Sequence, residues 1–127
     1  MPSLLVVDDE LLIRDLLYDF FTGQGWTIAV AENSDKAISI MENKPIDMVL
    51  TDIKMPGMDG LELAAWVREH YPTTPVVIVT GYPSVESAVS AIRSKVTDYI
   101  TKPFNINQLY KTLEANMPGR KETGKQK

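Results

Sequence analysis

Apolar residues follow two different patterns, and the patterns alternate along most of the chain. Short apolar runs at residues 4–7, 48–51 and 75–79 are typical of strands that are buried on both faces of a parallel sheet. Two further stretches, at residues 26–30 and 99–101, also predict strands. The sequence therefore predicts five short strands.

Between and after these runs, apolar residues recur at spacings of three and four, which is the period of an amphipathic helix. The positions concerned lie between residues 11 and 21, 37 and 41, 61 and 67, 85 and 96, and 106 and 113. Asn33, Ser84 and Asn105 precede the second, fourth and fifth helices, where such side chains cap a helix. We expect Asp9 and Glu10 in the first turn of the first helix, where acids complement the helix dipole.

Five strands that alternate with five helices predict an α/β fold. With 127 residues and 44% hydrophobic content, the chain is long enough for one domain with a proper core. Right-handed crossovers then give a single doubly wound (βα)5 domain with a flavodoxin-like five-stranded parallel sheet, in the order 2-1-3-4-5. We assign residues 1–117 to this domain and residues 118–127 to a flexible basic tail or the start of a linker.

Polar residues stand where four of the predicted strands end. Asp8 and Asp9 follow the first strand, and Asp52 follows the third. Thr80 and Lys102 end the fourth and fifth strands. In the predicted order these residues share one rim of the sheet, with the carboxylates at the topological switch point. Carboxylates so close repel unless a cation lies among them or some are protonated, and oxygen ligands suit Mg²⁺.

Composition excludes several other classes of function. The net charge of −4 favours neither nucleic acid nor an anionic membrane as a partner. The chain has no cysteine, which excludes disulfides, thiolate metal sites and cysteine nucleophiles. No apolar stretch approaches 18 residues, and no signal-like segment precedes the first strand. We therefore expect a soluble cytoplasmic protein.

Four motifs occur together in a characteristic order. They are VVDDE at residues 6–10, TDIKMPGMDG at 51–60, TG at 80–81 and DYITKPF at 98–104. In these motifs and their spacing the chain resembles a receiver domain of two-component response regulators, over residues 4 to about 116. The run at residues 80–89 also resembles receivers that are attached to ATPase-type transcription activators.

The resemblance implies a phosphoacceptor switch rather than an enzyme. Asp52 would receive a phosphoryl group from a sensor histidine kinase or phosphotransfer protein, since a carboxylate attacks phosphorus when a metal neutralises charge. Asp9 and Asp52 would bind Mg²⁺ or Mn²⁺ directly, Asp8 chiefly through water, and Lys54 through its main-chain carbonyl. Lys102 would hold a phosphoryl oxygen, and its bond to Pro103 is expected to be cis.

The resemblance also implies how such a switch is read. Thr80 would donate a hydrogen bond to the phosphoryl group, and Tyr99 would rotate from solvent toward the space that Thr80 leaves. The face formed by the fourth helix, fifth strand and fifth helix would then change shape and control an output or a homodimer. Whether the chain stands alone or begins a longer regulator stays open.

One pair of residues departs from the pattern of this family, and one bulky residue occupies a family position near the phosphoryl group. Lys95-Val96 stands where the family usually has Gly-Ala, which predicts a longer or more helical turn after the fourth helix. Tyr82, two residues beyond Thr80, is bulky and lies on the approach to the phosphoryl group in this family. We expect Tyr82 to slow attack by water and lengthen the phosphorylated lifetime.

Rival functions fit the residues less well. An aspartyl-nucleophile phosphatase that uses Mg²⁺ would need a second aspartate two residues after Asp52, where Lys54 stands. An FMN carrier would need a phosphate-binding loop after the first strand, where three acids stand instead. The segment at 119–126 nearly spells a nucleotide-binding loop, but no strand precedes it and no helix follows it.

Overall fold

The computed structural model describes residues 1–81 and 84–118, in which strands and helices alternate. The elements in chain order are β1 (Ser3–Val7), α1 (Leu11–Gly23), β2 (Thr27–Ala31), α2 (Ser34–Asn43), β3 (Met48–Thr51), α3 (Gly60–His70), β4 (Val76–Thr80), α4 (Val85–Arg93), β5 (Asp98–Thr101) and α5 (Ile106–Asn116). The predicted alternation is confirmed. The earlier predictions about residues 119–127 and Tyr82 lie outside the described residues.

The strands form one parallel sheet in the order β2-β1-β3-β4-β5, which confirms the predicted topology. β1 lies between β2 and β3, with Val7 in register with both Ala31 and Thr51. The strand that precedes the acidic loop therefore pairs with the strand that precedes Asp52. This is the switch point at which an open α/β sheet forms a crevice.

Helices cover both faces of the sheet, and each face has its own apolar core. On one face, α1 and α5 bury Leu17, Phe21 and Leu113 against the sheet. On the other face, α2 and α3 bury Met41 and Leu63. Because both faces are covered, the inner strands are apolar and buried at nearly every position.

Side-chain caps fix where the helices begin. The side chain of Asn33 accepts a hydrogen bond from the backbone at the start of α2, and Ser84 and Asn105 do the same for α4 and α5. Asp59 and Glu62 form a reciprocal capping box at the start of α3. The three caps expected from the sequence are confirmed.

The expectation that Asp9 and Glu10 lie in the first turn of α1 is wrong. α1 begins at Leu11, and Glu10 has an extended backbone with φ −90° and ψ 116°. The reason is local, because the Glu10 amide donates to Asp8 Oδ1 at 2.9 Å and this bond forms a turn that competes with the helix. The two acids are thus on a loop that borders the crevice.

The sequence predicts a longer or more helical turn after α4, but the structure has an ordinary helix-ending turn there. The amide of Lys95 donates to the carbonyl of Ile92, and that of Val96 donates to the carbonyl of Ala91. These two bonds are those of a Schellman motif, which requires a left-handed residue just past the helix. Lys95 takes that conformation, with φ +59°.

Within residues 1–81 and 84–118, the helices are all too short or too polar to cross a bilayer.

Candidate functional site

Asp52 is a buried carboxylate directly after the end of β3. Its backbone amide donates to the carbonyl of Val7 at 2.9 Å, which extends the pairing of β1 and β3 by one residue. Its Oδ1 atom accepts from the amide of Ile53 at 2.6 Å, and 5% of the residue is exposed. The sheet and this local bond together fix the orientation of the carboxylate.

The loop after β1 brings two further acids to the same edge. Asp8 is buried, and its amide donates to the carbonyl of Ala31 at the end of β2. Glu10 is exposed on the other side of the turn. One carboxylate oxygen from each of Asp8, Glu10 and Asp52 lies within 4.8 Å of the other two. The structure therefore brings Asp8 and Asp52 together, and the third acid of this cluster is Glu10 and not the expected Asp9.

Lys102 lies at the centre of these acids. Its Nζ atom is 2.8 Å from Asp8 Oδ2, 2.8 Å from Glu10 Oε1 and 2.9 Å from Asp52 Oδ2. The Lys102 amide donates to the carbonyl of Thr80 at 2.8 Å, and the Lys102–Pro103 bond is cis, as the resemblance implied.

These contacts change the acid–base properties of the cluster. Burial raises the pKa of Asp8 above its ordinary value, and its bonds to Lys102 and the Glu10 amide offset only part of that rise. Burial lowers the pKa of Lys102, but hydrogen bonds to Asp8, Glu10 and Asp52 outweigh it and leave the pKa above its ordinary value. The ammonium is therefore charged at neutral pH and serves as the counter-ion of the cluster.

An open crevice of about 620 Å³ gives solvent access to the cluster. It is lined by Asp9, Glu10, Asp52, Lys54, Gly81 and Lys102. Asp9 and Lys54 are exposed residues at its rim, and both also border a second depression along the loop at 53–59. Asp9 thus lines the same crevice as Asp52, although its carboxylate is not one of the three that surround Lys102.

Thr80 and Tyr99, the two proposed switch residues, lie on β4 and β5. Thr80 is fully buried at the end of β4, directly before Gly81. Tyr99 is half-buried, and its hydroxyl is 2.7 Å from the Oγ atom of Ser87 on α4. This bond connects β5 to α4, so a rotation of the tyrosine ring would change a contact between two elements.

The donor set fits a hard divalent cation. All the side-chain donors are carboxylate oxygens, which Mg²⁺ and Mn²⁺ prefer, and the spacing of three of them suits one ion. Asp8, Asp52 and the rim residues Asp9 and Lys54 are within the same crevice region. A cation bound among these acids would replace charge that Lys102 now supplies.

Two contacts of this site were not predicted from the sequence. Glu10 was assigned to the first turn of α1, and its bond to Lys102 was missed. The available signal was the run of three acids at residues 8–10. If α1 begins after this run, Glu10 lies on the loop with Asp8 and Asp9. Ser87 gave no signal, since its spacing from Tyr99 has meaning only once α4 and β5 are packed together.

Comparison with known proteins assigns this arrangement to a family. The model of the response regulator receiver domain matches residues 4–114, which is most of the chain. The chain belongs to the response regulator receiver domain family. It is a receiver domain of two-component signal transduction, a signalling family rather than an enzyme family in the usual sense. Receiver domains bind Mg²⁺ at an acidic pocket, and the phosphoacceptor role is implied by the family.

The similar proteins include transcription regulators and separate receivers. The receiver domain is 38% identical to the DNA-binding transcriptional regulator NtrC of Salmonella typhimurium over 109 residues, which cover 86% of this chain and 23% of NtrC. The chain spans about a quarter of the length of the curated relatives that it matches first.

Solved receiver structures have the same fold. A CheY-like receiver domain protein from Methanospirillum hungatei has a TM-score of 0.91 and 27% identity, and the match covers 98% of this receiver domain and 99% of that chain. The response regulator TrrA from Thermotoga maritima, solved in complex with Mg(2+)-BeF, has a TM-score of 0.84 and 32% identity. That match covers 92% of this chain and all of TrrA.

Proposed function

We propose that Asp52 accepts a phosphoryl group from a sensor histidine kinase or phosphotransfer protein and that this transfer switches the domain. The observation that carries the proposal is the placement of Asp52, a buried carboxylate held at a strand end with an ammonium 2.9 Å from its Oδ2 atom. Oδ1 accepts a hydrogen bond from the Ile53 amide and Oδ2 accepts one from the Lys102 ammonium, so both oxygens of the carboxylate are held in place at the crevice. A carboxylate oxygen of Asp52 forms a bond to phosphorus as the phosphorus–nitrogen bond of the donor histidine breaks, and the imidazole leaves with the electron pair.

The residues around Asp52 are given separate roles. Asp9 and Asp52 would bind Mg²⁺ or Mn²⁺ directly, Asp8 chiefly through water and Lys54 through its main-chain carbonyl. A bound cation would neutralise charge on the attacking carboxylate and on the donor. Lys102 would contact a phosphoryl oxygen as a mobile point charge. The support for these roles is that all five residues lie at one edge of the sheet.

Transfer of the signal would proceed through Thr80 and Tyr99. Phosphorylation adds about −1.5 to −2 charges at the crevice, and the Thr80 hydroxyl would move to donate to the new oxygens. The Tyr99 ring would then leave Ser87 and rotate toward the space beside β5. To invert a 1:99 ratio of the two conformations requires about 5.5 kcal/mol. One neutral hydrogen bond supplies less, so Lys102, the cation and Thr80 must act together.

The surface formed by α4, β5 and α5 is the proposed output face. Val89 and Ile92 on α4 are exposed by 39% and 76%, so this surface offers apolar contacts to a partner or a second copy. We place residues 1–117 in the receiver domain and treat the following residues as a linker or tail. The similarity to the DNA-binding transcriptional regulator NtrC supports an output in transcription, and the resemblance at residues 80–89 favours one of the ATPase type. We also expect a cytoplasmic location and no binding of nucleic acid or membrane by this domain itself.

Phosphorylation by a small donor tests the proposal. Wild type, Asp52→Asn and the exposed control Asp19→Asn are incubated with acetyl phosphate and Mg²⁺, and intact mass and oligomer size are measured. We expect wild type and Asp19→Asn to gain one phosphoryl group and Asp52→Asn to gain none. If Asp52→Asn is phosphorylated as readily as wild type, Asp52 is not the acceptor.

A further inference from the structure

The resting state uses the full donor capacity of Lys102. An ammonium group has three N–H donors, and the Nζ atom of Lys102 contacts Asp8, Glu10 and Asp52 at 2.8, 2.8 and 2.9 Å. A phosphoryl oxygen therefore needs a donor that is already in use. At least one of the three contacts must break before Lys102 can bind the phosphoryl group fully.

The three carboxylates differ in how easily they release Lys102. The side chains of Asp8 and Asp52 are 1% and 7% exposed, whereas that of Glu10 is 61% exposed. A buried carboxylate that loses its partner stays desolvated and unpaired, which is costly. Water replaces the partner of an exposed carboxylate at little cost. Before a cation binds, the contact with Glu10 is consequently the one that opens most easily.

We propose that Glu10 is a positioning residue that retains the ammonium of Lys102 in the unphosphorylated state and so slows phosphorylation of Asp52. This inference rests on the proposed function of Asp52. Glu10 acts through Lys102 and does not touch the reacting atoms. Its contact with Lys102 links residues 92 positions apart, so it exists only in the folded domain.

Direct retention by Glu10 differs from a general effect of its charge. A negative charge near the crevice also repels an anionic donor, whatever it contacts. Retention, in contrast, depends on the length of the side chain, because Glu10 Oε1 must reach Lys102 Nζ. The shorter Glu10→Asp variant keeps the charge and loses the reach, whereas Glu10→Gln keeps the length and loses the charge.

The kinetic test uses the whole chain with acetyl phosphate and Mg²⁺. A carboxylate oxygen of Asp52 bonds to phosphorus, the phosphorus–oxygen bond to the acetyl group breaks, and acetate leaves with the electron pair. We expect Glu10→Gln and Glu10→Asp each to be phosphorylated roughly two- to fivefold faster than wild type, the range for loss of a partly exposed ion pair. The exposed control Glu42→Gln on α2 is expected to match wild type.

Either of two kinetic results would overturn the inference. One is an unchanged rate in Glu10→Gln. The other is a faster Glu10→Gln beside a Glu10→Asp that matches wild type, because the effect would then come from charge alone. A wild type that takes up no phosphoryl group contradicts the proposed function of Asp52 instead, and the following measurement separates the two failures.

Retention is also measured without any phosphoryl donor. Nitrogen-15 NMR of the lysine side chains reports the hydrogen exchange of the Lys102 ammonium in the metal-free protein. We expect this exchange to be slow in wild type and in Glu42→Gln, and faster in both Glu10 variants. If the exchange rate of Lys102 is the same in wild type and Glu10→Gln, Glu10 does not retain it.

Discussion

The substitution Gly60→Ala tests how closely α3 and the acceptor strand are packed. Gly60 is the first residue of α3, and its amide donates to the carbonyl of Ile53 at 2.8 Å. A Cβ atom at this position would overlap the carbonyl oxygen of Asp52 and lie 2.7 Å from its carbonyl carbon. The start of the helix therefore rests directly on the backbone of the proposed acceptor.

The size of the clash sets the expected effect. Ordinary contact with a Cβ atom begins near 3.4 Å, so the Asp52 carbonyl carbon must move by at least 0.7 Å and the oxygen by more. The obstacle is backbone and cannot rotate away. Overpacking in a core costs about 1–3 kcal/mol, and we expect the upper end of that range or more. Because the shift moves Asp52 relative to Lys102, phosphorylation should slow as well.

Urea denaturation and phosphorylation by acetyl phosphate measure the two effects. Gly23→Ala is the matched control, because a Cβ atom there meets nothing within 4 Å and Gly23 also lies in a helix. We expect the control to leave the free energy of unfolding unchanged or to raise it by up to about 1 kcal/mol, because alanine is the better helix former. A Gly60→Ala protein as stable and as reactive as wild type would refute the reasoning.

Three further predictions concern stability. Lys95→Gly should stabilise the domain by about 0.5–1 kcal/mol in thermal or urea unfolding, because glycine adopts the left-handed conformation without strain, while Lys95→Ala should show no such gain. The raised pKa of Lys102 contributes stability that is complete below the ordinary lysine value of 10.5 and is lost as the pH rises through the higher folded-state pKa. In denaturation series above about pH 10.5, wild type should lose stability more steeply than Lys102→Met, and parallel curves would count against this linkage. Phe21→Ala should cost about 3–5 kcal/mol, because the ring is fully buried, whereas Tyr18→Ala, at a half-exposed site, should cost under about 1 kcal/mol.

The fold was predictable because the sequence repeats one signal many times. The apolar runs at 4–7, 48–51 and 75–79 can be buried on both faces only in a covered parallel sheet, and that requirement leaves few topologies. The caps at Asn33 and Ser84 were visible for the same reason, since a cap is decided by residues close in sequence. The left-handed conformation of Lys95 could not be predicted, because a lysine in the sequence gives no sign that it will adopt a positive φ.

The sequence predicted which residues form the site better than it predicted the contacts between them. Strand ends fix where Asp8, Asp52 and Lys102 lie, because the sheet register carries them there. Which carboxylate oxygens contact the Lys102 ammonium depends on side-chain conformations across the crevice and on the residue at which α1 begins. For that reason the sequence indicated an acidic site yet did not reveal that Glu10 contacts Lys102.

The contact between Lys102 and Asp8 joins residues 94 positions apart, and this separation has a consequence for synthesis on the ribosome. Chains emerge from the N-terminus at about 5–20 residues per second. Asp8 and Asp52 therefore leave the ribosome seconds before the lysine that neutralises them. Until then, pairing of β1 with β3 brings two like charges together at the same edge of the sheet. The acids at this edge of the sheet therefore gain their lysine counter-ion late in synthesis, only after β5 has been made.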